Sequence, residues 1–273
     1  MPELPEVENV KNTLNRLIRG KTIADVKVLW PNIIKYENLD EFKLRLIGQT
    51  IELVERRGKF LKIHLNEDTL VSHLRMEGRY GLYEAQEEFD KHTHVFFTFT
   101  DGTELRYRDV RKFGTMHLFV RGEEERQAPL SKLGYEPFSN EFTVNVLKQG
   151  LSKTNRSIKA ALLDQSIVVG LGNIYVDEAL FKAGIHPETN ANKLSLPKVK
   201  TLHQHIIETL KESVEKGGST IRSYVNSVGE EGSFQLELFV YGKKGEPCKK
   251  CGTMISKTVV AGRGTHFCPK CQK

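Results

Sequence analysis

The residue best suited to covalent chemistry stands at the head of the chain, in the stretch MPELPEVE. Methionine-trimming enzymes act before small second residues, and removal of Met1 would leave the nitrogen of Pro2 as a free secondary amine. An α-amino group has a pKa of about 7.7–8.0 against about 10.4 for lysine, so near neutral pH it is far more often unprotonated and nucleophilic. Such an amine could attack a sugar carbon. The same stretch also suits a plain helix start, with Pro2 and Pro5 setting φ and Glu3, Glu6 and Glu8 favoured by the helix dipole. Residue types alone favour that plainer use.

A second constellation lies at the other end. Cys248, Cys251, Cys268 and Cys271 are the four cysteines of the chain, in the pattern C-x2-C-x16-C-x2-C. Two close pairs joined by a hairpin are what four thiolates need to surround a tetrahedral zinc ion, and a two-residue gap suits chelation better than disulfide bridging. Four protein ligands leave no position for a reactive water, so the expected zinc is structural. Between the pairs, SKTVVAGRGTHF reads as strand, turn and strand, with Gly262 and Gly264 flanking Arg263 at the tip. The net charge of +6 concentrates here: eight Lys or Arg face one acid, Glu246, between Val240 and Lys273, so the preceding body is close to neutral. Cations gathered around a metal-pinned hairpin make Arg263 a phosphate contact rather than an ordinary turn residue.

These groups need elements to hold them. Val7, Val10, Leu14, Leu17 and Ile18 recur at helical spacing and Gly20 follows as a stop, so an amphipathic helix would fix the N-terminus. From Thr22 to about Phe119 come short β-rich runs (TIADVKVLW, QTIELVERR, KFLKIHL, TLVSHLRM, HVFFTFT, ELRYRDV, TMHLFV), the pattern of an antiparallel sandwich or barrel. The polar, proline-bearing GEEERQAPLSKLGYEP marks a boundary, and the texture beyond it is helical: SIKAALLDQ, a VGLGN turn, IYVDEALFKAG and LPKVKTLHQHIIETLKESVEKGG. Helix, tight turn, helix places backbone amides where DNA phosphate can meet them. Gly170 and Gly172 do not make a dinucleotide fingerprint, because Tyr175 holds the place of the third glycine and no βαβ pattern surrounds it. The expected domains are 1–130 for a sandwich, 131–150 for a linker, 151–239 for a helical DNA-binding domain with a long Gly- and Ser-rich loop, and 240–273 for a zinc finger.

No stretch of 18 apolar residues occurs, and no basic segment followed by an apolar run opens the chain, so a soluble cytoplasmic protein is expected. A length of 273 residues is ample for two domains.

MPELPEVE, RRGKF, SHLRMEGRY, RDVRKFGT, GLGNIYVDEALF and the four-cysteine tail stand in one order along the chain. Together they make it resemble the bacterial formamidopyrimidine-DNA glycosylase family from Pro2 to the last cysteine pair. That resemblance implies an α+β multidomain fold: an N-terminal antiparallel β-sandwich with an N-terminal helix, then a helix-two-turn-helix domain with a zinc-finger β-hairpin. It implies a monomeric repair enzyme of the bacterial cytoplasm and nucleoid, acting on double-stranded DNA that contains oxidised purines such as 8-oxoguanine or formamidopyrimidines. Base removal and abasic-strand cleavage by β,δ-elimination would both proceed through a Schiff base on Pro2. Glu3 would be the general acid and base, Glu6 a supporting carboxylate, and Lys59 and Arg263 phosphate contacts at the reacting nucleotide. Asn173 and Tyr241 would hold phosphate too, and His73, Arg108 and Lys153 fall in DNA-contact segments. Met76, Arg111 and Phe113 would fill the hole left by the flipped base. Glu77 and the loop from Gly217 to Gln235, with Ser219, Thr220, Ile221, Arg222 and Tyr224, would meet the extruded base. One competing reading is an endonuclease VIII-like enzyme for oxidised pyrimidines, whose opening resembles PEGPE where this chain has Leu4. The other is a non-catalytic zinc-ribbon DNA-binding protein, which would give Pro2 and Glu3 no purpose.

Overall fold

The computed structural model describes residues 1–219 and 232–273, which form two compact units. The first holds Met1–Ser131 together with Ser219; the second holds Lys132–Gly218 and Ser233–Lys273.

In the first unit helix α1 (Leu4–Ile18) buries Leu4, Val7, Val10, Leu14 and Ile18, one apolar stripe at the spacing of helical turns. Strand β1 (Ile23–Val28) and a short helix α2 (Leu39–Leu46) follow, then β2 (Ile51–Arg57), β3 (Phe60–Leu65), β4 (Asp68–His73), β5 (Arg79–Glu84), β6 (Thr93–Phe99), β7 (Thr103–Arg108) and β8 (Thr115–Val120). Two four-stranded antiparallel sheets result, ordered β1-β6-β7-β5 and β2-β3-β4-β8. Inward residues such as Val26, Phe97, Leu105, Leu61 and Leu118 form the core of this sandwich, with the stripe of α1 packed into it. The side chain of Asn15 pairs with Val54 as a strand would, accepting from its N–H at 2.8 Å and donating to its carbonyl at 2.6 Å, which clips α1 to β2.

Two elements of this unit were not expected from sequence. Helix α2 is capped by Asn38, whose Oδ1 accepts the N–H groups of Asp40 and Glu41 at 3.0 and 3.1 Å, and it buries Phe42 and Leu46. Strand β5 pairs Tyr80 with Tyr107 and Leu82 with Leu105.

The second unit contains α3 (Val144–Ser152), α4 (Ile158–Leu163), α5 (Asn173–Ala183) and α6 (Leu196–Glu215), then the hairpin β9 (Ser256–Val260) and β10 (Arg263–Phe267). Helix α3 occupies the later part of the segment 131–150 expected to be linker, because Thr143 caps it and Leu147 and Leu151 bury one face. Between α4 and α5, Gln165 stitches the turn: its amide donates to the carbonyls of Leu163 and Leu171 at 3.0 and 2.9 Å and accepts the Gly170 N–H at 2.8 Å. Among the described residues no helix is long and apolar enough to cross a membrane.

Candidate active site and nucleic-acid interface

At the head of α1, Met1 is exposed while Pro2, Glu3 and Glu6 are buried. Glu3 and Glu6 form a capping box: the Glu3 N–H donates to Glu6 Oε2 at 2.8 Å, and the Glu3 carboxylate receives the N–H of Glu6. The second oxygen of Glu6 accepts the Ser219 N–H at 2.7 Å, so one buried carboxylate ties the helix start to the beginning of the Gly217–Gln235 loop. Thr220, Ile221, Arg222 and Tyr224 lie outside the described residues.

One turn further on, Glu8 pairs with Arg56 at 2.8 Å, and Arg56 donates to the Gly58 carbonyl at 3.0 Å. Burial of Glu8 opposes its charge, but hydrogen bonds from Lys11 and Arg56 outweigh it and lower its pKa. This chain of contacts fixes the turn that presents Lys59, itself 6% exposed. Next along the sheet, Phe60 is registered with His73 and meets its ring edge-on at 4.5 Å. Burial first, then the charges of Arg75 and Lys59, push the His73 pKa down to about 3, so the ring is neutral. Its Nδ1 accepts the Arg75 N–H at 2.9 Å.

Two turns at one end of the sandwich carry the next group. Arg75, Met76 and Glu77 form the turn between β4 and β5, with Met76 half-buried and Glu77 exposed. Arg111, Lys112 and Phe113 form the turn after β7; all three are exposed, Phe113 by 52%, and the Arg111 guanidinium lies 4.7 Å from its ring centre. Half exposure of a large ring removes the option that Phe113 is core. Arg108 is half-buried and bonded to Asp90 at 2.6 Å.

In the second unit, Asn173 begins α5 and donates from Nδ2 to the Gly264 carbonyl at 2.9 Å. The adjacent acids Asp177 and Glu178, not singled out from the sequence, organise what surrounds it. Asp177 Oδ1 accepts from Lys159 at 2.7 Å, both side chains being wholly buried, and Oδ2 accepts the His266 N–H at 2.8 Å. Glu178 accepts the N–H groups of Phe239, Val240 and Tyr241, each at 2.9 Å. Burial pushes the Glu178 carboxyl above its ordinary range against those three donors. The one available signal was two consecutive acids inside the otherwise apolar run IYVDEALF. Tyr241 meets His266 edge-on at 5.1 Å, so Asn173, Tyr241 and the start of β10 are brought together. Lys153, exposed at the C-cap of α3, is held by none of these contacts.

The hairpin differs from expectation in one detail. Ala261 and Gly262, with φ of 50° and 69°, make its two-residue turn, and Arg263 is the exposed first residue of β10, paired with Val260. Below it the four cysteine sulfurs lie within 4.8 Å of one another, with Cys248 to Cys271 at 3.9 Å and Cys251 to Cys268 at 3.5 Å. These separations are far too long for disulfides. A Zn–S bond of about 2.3 Å gives tetrahedral edges of about 3.8 Å, so the sulfurs fit one zinc ion. Backbone N–H groups of Lys250 and Cys271 donate to the sulfurs of Cys248 and Cys268, both at 3.4 Å.

A β-sandwich with a buried capping box at its N-terminus is thus joined in one chain to a helical unit with a four-cysteine hairpin. Models of the formamidopyrimidine-DNA glycosylase N-terminal domain, its H2TH domain and the zinc finger found in FPG and IleRS match residues 1–116, 133–225 and 245–273. The chain is similar over its whole length to the formamidopyrimidine-DNA glycosylases of Bacillus licheniformis (66% identical, 100% of both chains) and Bacillus subtilis (65%, 100% of this chain and 99% of the other). It resembles Lactococcus lactis Fpg in complex with DNA containing N7-benzyl-Fapy-dG (TM-score 0.93, 43% identical, 100% of both chains) and with abasic-site DNA (0.93, 43%, 99% of both). The chain belongs to the formamidopyrimidine-DNA glycosylase family. Its four cysteines are the ligands of one structural zinc.

Proposed function

We propose that this protein is a base-excision repair enzyme of the bacterial cytoplasm and nucleoid, a DNA glycosylase and abasic-site lyase that removes oxidised purines from duplex DNA. The observation that carries its mechanism is the buried Pro2-Glu3-Glu6 head of α1. Once Met1 is removed, the Pro2 lone pair attacks C1′ of a nucleotide flipped out of the stack. The bond from C1′ to the base breaks, its electron pair leaves with the base, and the base takes up the proton that the Pro2 nitrogen sheds. Glu3 gives a proton to the sugar ring oxygen, the ring opens, and an iminium forms between Pro2 and C1′. With the iminium as electron sink, proton loss from C2′ expels the 3′-phosphate and a second elimination expels the 5′-phosphate.

Glu6 holds the Glu3 backbone in place for this. Lys59, with His73 beside it, meets the phosphates of the reacting nucleotide, and Arg108 and Lys153 add charge along the duplex. Asn173 uses the second hydrogen of its amide, the first being held by Gly264, and with Tyr241 and Arg263 grips phosphate from the second unit. Met76, Arg111 and Phe113 fill the vacated space. Their types suit it: a flexible thioether, a planar cation able to read the orphaned base, and an exposed aromatic wedge. Glu77 and the loop that Glu6 anchors at Ser219 face the extruded base.

Borohydride trapping tests this directly. Protein with Met1 removed should form a covalent adduct with duplexes containing 8-oxoguanine opposite cytosine, and the Met1-retaining form or a Glu3→Gln variant should bind the same DNA without excising the base. A full-strength adduct from Met1-retaining protein would refute Pro2 as nucleophile. Stronger trapping on thymine glycol would refute the purine preference.

A further inference from the structure

We propose that Tyr107 and Asp109 are positioning residues that hold the turns 74–78 and 109–114 in one fixed relation, so that Met76, Arg111 and Phe113 enter the duplex as a single wedge. This rests on the reading of those three side chains as hole-fillers. Neither Tyr107 nor Asp109 reaches the surface.

Asp109 is the post around which the second turn is wound. Its Oδ1 accepts the Arg111 N–H at 3.0 Å, and its Oδ2 accepts the N–H groups of Phe113 and Gly114 at 2.9 and 2.8 Å. Its carbonyl receives His94 Nε2 at 2.9 Å and the Lys112 N–H at 3.3 Å, while its own N–H donates to His92. With the backbone N–H groups turned inward to one carboxylate, the side chains of Arg111 and Phe113 are left to project. Lys112 between them takes a φ of 57°, a conformation that a lysine holds only when its surroundings fix it.

Tyr107 links this turn to the other. Its ring packs on Tyr80 at 5.1 Å, and its hydroxyl donates to Asp109 Oδ2 at 3.4 Å. A Cβ built on Gly114 would stand 1.7 Å from that hydroxyl, and one built on Gly78 would stand 2.2 Å from it. The hydroxyl therefore rests against one glycine from each turn, and neither position has room for a side chain. Burial, with Asp109 and Tyr80 beside it, pushes the Tyr107 phenol well above its ordinary pKa, so it stays a neutral donor. On the Met76 side the turn is closed by Gly78 N–H to the Leu74 carbonyl at 2.9 Å, and Arg75 takes a φ of 53°.

The test compares single-turnover excision of 8-oxoguanine opposite each of the four bases with cleavage of a preformed abasic site in the same duplex. Asp109→Ala should slow excision about tenfold or more, since small misplacements of a wedge are amplified in rate. Abasic cleavage should stay within about threefold of wild type, and discrimination of the opposite base should flatten. Tyr107→Phe should act in the same direction by a smaller factor, and Asp109→Asn, which keeps the shape of the post, should fall between. The Asn variant supplies the same ratio if the Ala variant does not fold. Adding Asp109→Ala to Phe113→Ala should cost less than the product of the two losses. Equal losses on lesion and abasic substrates, or wild-type discrimination in both Asp109 variants while Phe113→Ala shows the split, would overturn the positioning role and leave the wedge standing. Absence of the split in Phe113→Ala itself would remove the wedge reading, and this proposal with it.

Discussion

Both units display an exposed arginine on a segment held by buried carboxylate, in a turn for Arg111 and at the head of a strand for Arg263, yet they do so by opposite means. In the sandwich, Asp109 gathers N–H groups from residues two, four and five positions later, so the turn carrying Arg111 and Phe113 is almost self-contained. In the helical unit, Asp177 and Glu178 reach N–H groups 61 to 89 residues away, and the segment carrying Arg263 packs through a small cluster of Phe181, Val240, Ile255 and two of its own cysteines. A local anchor fixes the shape of a loop. Distant anchors with a metal fix where a loop stands relative to a helix, and here they set Arg263 and Gly264 beside Asn173. The difference predicts that the second assembly fails as a whole, while the first fails one bond at a time.

Zinc removal, or Cys248→Ser, should break that contrast most severely. Metal binding and hairpin folding are one equilibrium, with about 10–16 kcal/mol at stake in zinc-finger peptides. DNA affinity should fall tenfold or more by this coupling, while circular dichroism reports an unchanged sandwich; loss of the sandwich as well would refute the separation. Asp177→Ala comes next, because it removes the buried carboxylate that faces the Lys159 ammonium, and breaking a buried ion pair from one side typically costs about 3–5 kcal/mol. Melting monitored by a probe in the second unit should shift far more than one in the first, and a Lys159→Met change added to it should recover much of the loss. Arg263→Ala removes one cation and no support: affinity should weaken modestly and the salt dependence should become shallower by about one phosphate. An unaltered salt slope would exclude the phosphate contact.

The smallest effect at neutral pH should come from His73. Its folded pKa lies near 3 and its unfolded value near 6.5, so between those limits the unfolded chain binds the extra proton and stability rises with pH. His73→Asn keeps an acceptor for the Arg75 N–H and should flatten the acid limb of a stability profile from about pH 6.5 downward without altering stability at pH 8. A limb of unchanged steepness would show that other groups govern it.

What sequence could reveal follows the same division between local and distant. The stripe of α1, the short β-rich runs between turns and the cysteine pairs are periodic or spaced signals, and the structure has elements at each of them. Strand β5 is hard to read from sequence because RYGLYE carries a charged residue at each end and a glycine within, and its pairing with β7 supplies what its composition lacks. Helix α2 is only eight residues long, too short for periodicity to separate it from the strands around it. Two flanking glycines suggest Arg263 as the hairpin tip, whereas the strand register makes Ala261 and Gly262 the turn. The candidate site residues came from ordered motifs, but the carboxylates beneath them did not. No spacing rule announces that Glu178 will meet residues 239–241, or that Glu6 will bond to Ser219.

Among the described residues, three that are not glycine have positive φ: Arg75, Lys112 and Ala261. Each stands one or two positions from a residue proposed to touch DNA: Met76, Phe113 or Arg263. The left-handed conformation costs an ordinary L-residue roughly 1–2 kcal/mol, and more when its side chain is β-branched. Sequence drift at these positions is therefore filtered by backbone geometry and not by what the side chain binds. Asparagine or glycine should be accepted at all three with activity intact, whereas valine or isoleucine should be rejected even though the positions are exposed. A saturation library scored for repair would then show, at three surface sites, the substitution profile of a torsion angle.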